Sequence, residues 1–91
     1  MSLNIPIKLT QVYFSPKTWE EYQIIYLTLI AYDDVIEKQS DSKLLYNHFK
    51  AYPEIHIKFC SSTTYKIIGY KKDQGHRSGL NLMSIDELKQ Y

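Results

Sequence analysis

The sequence predicts an α+β fold: a three- or four-stranded antiparallel sheet packed against one long helix, with two shorter helices at its margins. Three observations carry that expectation. Residues 54–60 alternate apolar and polar side chains, and a second β-rich run returns at 64–71 after a polar turn. Residues 16–38 begin and end with the helical patterns KTWEEYQ and DDVIEKQ. Residues 41–51 carry a second helical stripe that Pro53 cuts off.

Taken in order, Leu3, Ile5, Ile7 and Leu9 alternate with Asn4, Pro6, Lys8 and Thr10, the period of a half-buried strand. Val12 and Phe14 are apolar on the opposite parity, so a bulge or bend is expected near Gln11. Pro6 has no N–H to give a ladder and places the start of this run at a sheet edge. Ser15-Pro16 then reads as a helix start, because a serine oxygen accepts from open first-turn amides and proline there loses no needed donor. Glu20 and Glu21 follow near the positive end of the helix dipole. One uninterrupted helix of about 34 Å is expected over residues 16–38.

The second helix is expected from Asp41 or Ser42 to Ala51, with Leu44, Leu45, Tyr46 and Phe49 as its stripe. In the next strand Ile55, Ile57 and Phe59 face the core while Glu54, His56, Lys58 and Cys60 face water. Residues 61–63 turn, and 64–71 return as the partner strand. DQGHRSG reads as a loop punctuated by Gly75 and Gly79, and Leu80 and Leu82 as a further short strand. Ser84 and Glu87 form a capping box, with Met83 and Leu88 stapling a last short helix.

With 91 residues the chain has room for one domain over 1–91, burying roughly 60–65% of the surface its unfolded form exposes. A hydrophobic content of 44% against 23% charged separates it from disordered chains. Cys60 is the only cysteine, which excludes an internal disulfide and points to a reduced, cytoplasmic setting. No basic leader or apolar run of membrane-spanning length is present, so no membrane partner is expected. Eleven Ile, ten Lys and nine Tyr against two Ala is the bias of an A/T-rich genome, such as that of a low-GC bacterium, its phages or an archaeal virus. For a viral protein the setting is the host cytoplasm.

Charge is divided along the chain. Residues 43–77 hold seven Lys/Arg against Glu54 and Asp73, whereas residues 1–42 hold three Lys against six carboxylates. Lys58, Lys66, Lys71, Lys72, His76 and Arg77 therefore mark a basic hairpin and loop suited to an anionic partner. Phe59, Tyr65 and Tyr70 are interleaved with these cations, the mixture that stacks bases and neutralises phosphates in single-strand binders. A single arginine supplies few bidentate phosphate grips and favours a protein partner, or a nucleic-acid-associated complex, over nucleic acid alone. On a helix over 16–38, Ile24, Leu27, Ala31 and Val35 align on the side opposite Trp19, Tyr22, Leu29 and Ile36. That second line needs a cover: the 41–51 helix, a partner, or a second copy in a homodimer.

His48, His56, Cys60 and His76 lack metal-ligand spacing, with His56 and Cys60 about 13 Å apart on an ideal strand. No metal or cofactor is expected. Asp33 and Asp34 lie on separate faces and form no acid–base pair. VYFSPKTWEEY, HIKFCSSTTYKIIGYKK and GHR occur in an order that resembles RelE-type toxins of toxin–antitoxin pairs. That resemblance, over about 35 residues, implies ribosome-dependent mRNA cleavage with Lys58, Lys66, His76 and Arg77 in phosphate and acid–base roles. The hairpin has no arginine and no full strand precedes GHR, departures that leave the preferred reading elsewhere. That reading is a small non-enzymatic protein that binds and inhibits or adapts a macromolecular partner, in the manner of phage- or plasmid-type inhibitors of host machinery, including anti-defence proteins. The toxin and a small homodimerising structural subunit are the alternatives.

Overall fold

The structure, a computed structural model, describes residues 5–36, 39–61 and 63–91. It is α+β, with a five-stranded mixed sheet and four α-helices. The strands are β1 (Val12–Phe14), β2 (Val35–Ile36), β3 (Glu54–Ser61), β4 (Thr64–Tyr70) and β5 (Asn81–Leu82). They lie in the order β2-β4-β3-β1-β5. The expected antiparallel pairing holds only for the middle three: β3 pairs antiparallel with β4 and β1, while the edge strands β2 and β5 join in parallel. The helices are α1 (Trp19–Ile30), α2 (Ser42–Ala51), α3 (Gln74–Arg77) and α4 (Ile85–Leu88).

The long helix is shorter at both ends than its sequence pattern. Its start is Thr18, in extended conformation, whose hydroxyl accepts from the Glu21 amide at 3.1 Å. Thr18 wins over Ser15 because Thr-x-x-Glu places cap and carboxylate one turn apart. Its end comes at Ile30, where Tyr32-Asp33-Asp34 turn the chain out of the helix. Asp34 is claimed by the sheet layer: its carboxylate accepts the Ile5 amide at 3.1 and 3.2 Å, and its carbonyl accepts the Tyr65 amide at 2.8 Å. β-branched Val35 and Ile36 then continue as strand, the tertiary context overriding helical periodicity. Glu37 and Lys38, the last residues of the expected helix, lie outside the described residues.

At the N-terminal end, Leu3 and Asn4 also lie outside the described residues, and the expected strand is corrected to a 3₁₀ turn over Ile7–Thr10. That turn buries Leu9 and leaves Ile7 exposed. The expected bend near Gln11 is where the turn gives way to β1. Asp41 caps α2 by accepting from the Lys43 and Leu44 amides. The hairpin forms as β3 and β4 with a bulge between Phe59 and Ser61, and Ser62 of its turn lies outside the described residues. The expected sorting of its side chains is corrected: Phe59 is 57% exposed, while Glu54 is buried against the amides of α3 and His56 against the Val12 carbonyl and the Tyr70 ring. Ser84 caps α4 from the Glu87 amide at 3.2 Å. DQGHRSG, expected as a loop, contains α3.

The core lies between the sheet and α1, with α4 packed beside α1. Tyr22, Ile25, Tyr26 and Leu29 meet Phe14, Ile55 and Ile57, and Leu9, Val35, Met83 and Leu88 close the margins. Aromatic rings join α2 to α1: Trp19 and Tyr22 stand 6.0 and 5.1 Å from Phe49. Gly69 of β4 lets α2 approach, since a Cβ there would stand 2.6 Å from both His48 and Tyr52.

Candidate functional site

Strand alternation sorts the hairpin's side chains onto two faces of the sheet. On the helical face run the rows Val35–Tyr65–Phe59, Ile67–Ile57 and Gly69–Ile55–Phe14. On the opposite face run Ile36–Lys66–Lys58, then Ile68–His56–Tyr13–Leu82, then Tyr70–Glu54. This opposite face holds the expected basic surface. Lys58 and Lys66 sit directly across the hairpin from one another. Lys71 and Lys72 follow Tyr70 in the exposed turn into α3, and His76 and Arg77 are exposed on α3 itself.

The Tyr70 end of the face is closed by α3. Glu54, 4% exposed, accepts the Asp73 amide on one carboxylate oxygen and the Gly75 amide on the other, both at 2.9 Å. It thereby satisfies the open N-terminus of a helix whose own N-cap, Asp73, gives no side-chain bond. Asp73 takes the left-handed conformation, φ 66°, that aspartate tolerates better than most residues. Gly75 rests on the Tyr13 ring, where a Cβ would approach to 2.3 Å. Burial, and then the charges of Glu54 and Asp73, push the Tyr13 phenol above its usual range. His56 is 8% exposed, directs Nδ1 to the Val12 carbonyl at 3.0 Å and stacks on Tyr70 at 5.4 Å. As Nδ1 must donate to that carbonyl, the neutral ring carries its proton there. Burial lowers the pKa of His56, the Val12 bond opposes this, and Lys58 adds to the lowering.

The helix line is only partly assembled. Ile24 and Leu27 are exposed within α1 and Ala31 at its C-cap, Leu27 to 63%, while Val35 is withdrawn into β2 at 1% exposure. The expectation that Val35 continues this line is corrected, because α1 ends before reaching it. Nor does α2 cover the line, since it packs on Trp19, Tyr22 and Tyr26. As α1 lies on the helical face, Ile24 and Leu27 point away from the basic face.

A groove of about 360 Å³ runs between α1 and α2, lined by Trp19, Tyr22, Tyr26, Leu27, Ile30 and Leu45 among others. A hollow of about 370 Å³ lies on the far side of Tyr22, Tyr26 and Leu45, reaching His48 and Ile67. Burial, with a smaller contribution from Tyr26, pushes the Tyr22 phenol up to about 12. The groove escapes sequence reading because helical periodicity marks Trp19, Tyr22 and Tyr26 as core without showing how far α2 stands off. The exposed Leu44 and Tyr46, on a helix with no buried residue, are its nearest sequence trace.

The four residues implied by the toxin resemblance are split between two places. Lys58 and Lys66 lie four strand residues, about 13 Å, from the Glu54–Tyr70 row against which α3 carries His76 and Arg77. Among the described residues no cluster of three metal-ligating side chains occurs, and Cys60 is exposed. No helix among them is long and apolar enough to cross a membrane. Compared with known proteins, the chain matches no family model, no curated protein and no solved structure.

Proposed function

We propose that this chain is a non-catalytic binding protein that engages an anionic macromolecular partner through the basic face of its sheet, blocking or adapting that partner by occupying it. The observation that carries this reading is the gathering of Lys58, Lys66, Lys71, Lys72 and Arg77 along one face and its α3 end, against Glu54 and Asp73. Glu54 is buried and already engaged by two amides, so its charge is spent on holding α3. Lys58, Lys71, Lys72 and Arg77 are exposed, and exposed cations of this kind steer an oppositely charged surface into register.

The test is affinity capture from the source cell with the wild-type chain and with the quadruple variant Lys58→Glu, Lys66→Glu, Lys71→Glu, Lys72→Glu. The species retained by the wild type is expected to be lost by the variant, with unchanged circular dichroism. Equal recovery by both proteins overturns the reading.

A further inference from the structure

The groove between α1 and α2 lies away from the cations of the opposite sheet face and has a chemistry of its own. α2 holds to α1 through rings of its later turns: Tyr46 and Phe49 stand 5.2 and 6.0 Å from Trp19, and Phe49 stands 5.1 Å from Tyr22. Its first turn stands off. The space left beside that turn, about 360 Å³, has buried Tyr22 and Tyr26 as its floor and half-buried Trp19, Ile30 and Leu45 as its walls, with exposed Leu27 at the rim.

Charge, hydrogen bonding and size each restrict what can enter. None of the described residues lining the groove carries a carboxylate, an ammonium or a guanidinium, so a charged ligand would lose its hydration with nothing to replace it. Gln23, which also lines the groove, is half-buried, and its side-chain amide makes no hydrogen bond among the described residues. No unpartnered polar atom is fully buried among them, so this amide is open, with an oxygen to accept and an NH₂ to donate. The volume lies at the lower end of small-molecule sites, which run from about 300 to 1,000 Å³. A partner helix, about 10–12 Å across, would rest on the mouth and leave the space beneath it unfilled.

We propose that this groove binds an uncharged small molecule with an apolar body and an amide, carbonyl or hydroxyl head, the body filling the space beside the first turn of α2 and the head bonding to the Gln23 side chain. Occupancy gives α2, a helix with no buried residue, the cover that its apolar stripe lacks. The site uses none of the cations of the sheet face, so it stands or falls separately from the binding reading above.

Trp19 is the only tryptophan of the chain and forms part of the wall, so its emission reports occupancy. The experiment titrates the full chain with octanamide and with octanoate, matched in body and different in charge. Octanamide is expected to shift the Trp19 emission, to raise the melting temperature by mass action on the native state, and to bind about tenfold more tightly than octanoate. Gln23→Leu should weaken octanamide about fivefold, the net worth of one hydrogen bond. Leu27→Lys, which sets an ammonium at the rim, should turn the preference toward octanoate; circular dichroism confirms the fold of both variants. Emission and melting temperature unmoved by octanamide overturn the proposal, and so does octanoate binding as tight as octanamide. Octanamide binding unaffected by Gln23→Leu, with octanoate binding indifferent to Leu27→Lys, overturns it by placing the contact elsewhere. Elution of the free chain as a dimer that Leu27→Glu dissociates overturns it by giving the groove to a second copy.

Discussion

The two faces of the sheet are built from the same strands and closed by different means. The helical face is sealed by α1, α2 and α4 over Phe14, Ile55, Ile57 and Val35, a continuous apolar core. The other face is closed at one end only, by a four-residue helix held through two amides on Glu54 and one glycine on Tyr13. One face is sealed by area, the other by a clasp. Neighbouring residues such as Ile57 and Lys58 should therefore fail in different ways when changed: one in folding, the other in recognition.

The largest effect is expected on the sealed face. Phe14 is fully buried in the core, and Phe14→Ala should cost about 3–5 kcal/mol. That is a large part of the roughly 5–10 kcal/mol a domain of this size commands. Urea unfolding followed by circular dichroism reads it; a loss under about 1 kcal/mol would mean the two faces are not distinguished by burial.

Next in size is the clasp. Gly75→Ala drives a methyl group into the Tyr13 ring, and Glu54→Ala leaves the Asp73 and Gly75 amides without their acceptor. Each should cost about 1–3 kcal/mol. The loss should be local: amide exchange should quicken from Asp73 to Gly79 while α1 stays protected. Equal acceleration in α1 would show that α3 belongs to the core rather than closing a separate face.

The clasp also marks where sequence reading stops. The hairpin, α2 and the Ser84 cap were legible because each is specified by near neighbours: alternation from Glu54 to Phe59, Asp41 ahead of a helical stripe, and Ser-x-x-Glu. Thr18-x-x-Glu21 carried the same signal for α1 and was masked by the more familiar Ser-Pro start. The end of α1 was not legible, because Asp34 leaves the helix to bind Ile5, twenty-nine residues away in sequence. The parallel edges and the Glu54–Gly75 clasp are likewise contacts between distant segments that leave no local period. Of the candidate surface, composition located the cations; only the register showed that Phe59 and Tyr65 leave their face.

A smaller effect is expected from pH. His56 is held neutral on the clasped face, its pKa lowered below the ordinary 6.5 chiefly by burial. As pH falls below that ordinary value the unfolded chain takes up the proton first, so it binds more protons than the native state and stability declines. The decline continues until the folded pKa is passed, and above the ordinary value His56 contributes no slope. Comparing urea midpoints of wild type and His56→Gln across this window isolates it; parallel curves would show that the ring is not confined as described.

Smaller still is the single reversal Lys58→Glu. It replaces a like-charge pair across the hairpin with an opposite pair facing Lys66, worth about 0.2–1 kcal/mol in favour of folding. Stability should rise slightly while partner capture falls. Two changes of the same sign would break the separation of folding from recognition on this face.

The least effect is expected at Leu27→Glu, and its smallness is the point. Leu27 is 63% exposed on the outer side of α1, at the rim of the α1–α2 groove and away from both faces of the sheet. A carboxylate there stays in water, so the change should stay within about 0.5 kcal/mol, as for other surface sites. Were α2 to close over the groove in solution, the same carboxylate would be buried without a partner, at a cost of several kcal/mol. Were a second copy to cover this line, stability at high dilution would be unchanged but elution in size-exclusion chromatography would shift to the monomer. Unfolding, dissociation and indifference are three separable outcomes of one substitution. Indifference is the one expected of a helix that serves the sealed face with its inner side and leaves its outer side to water.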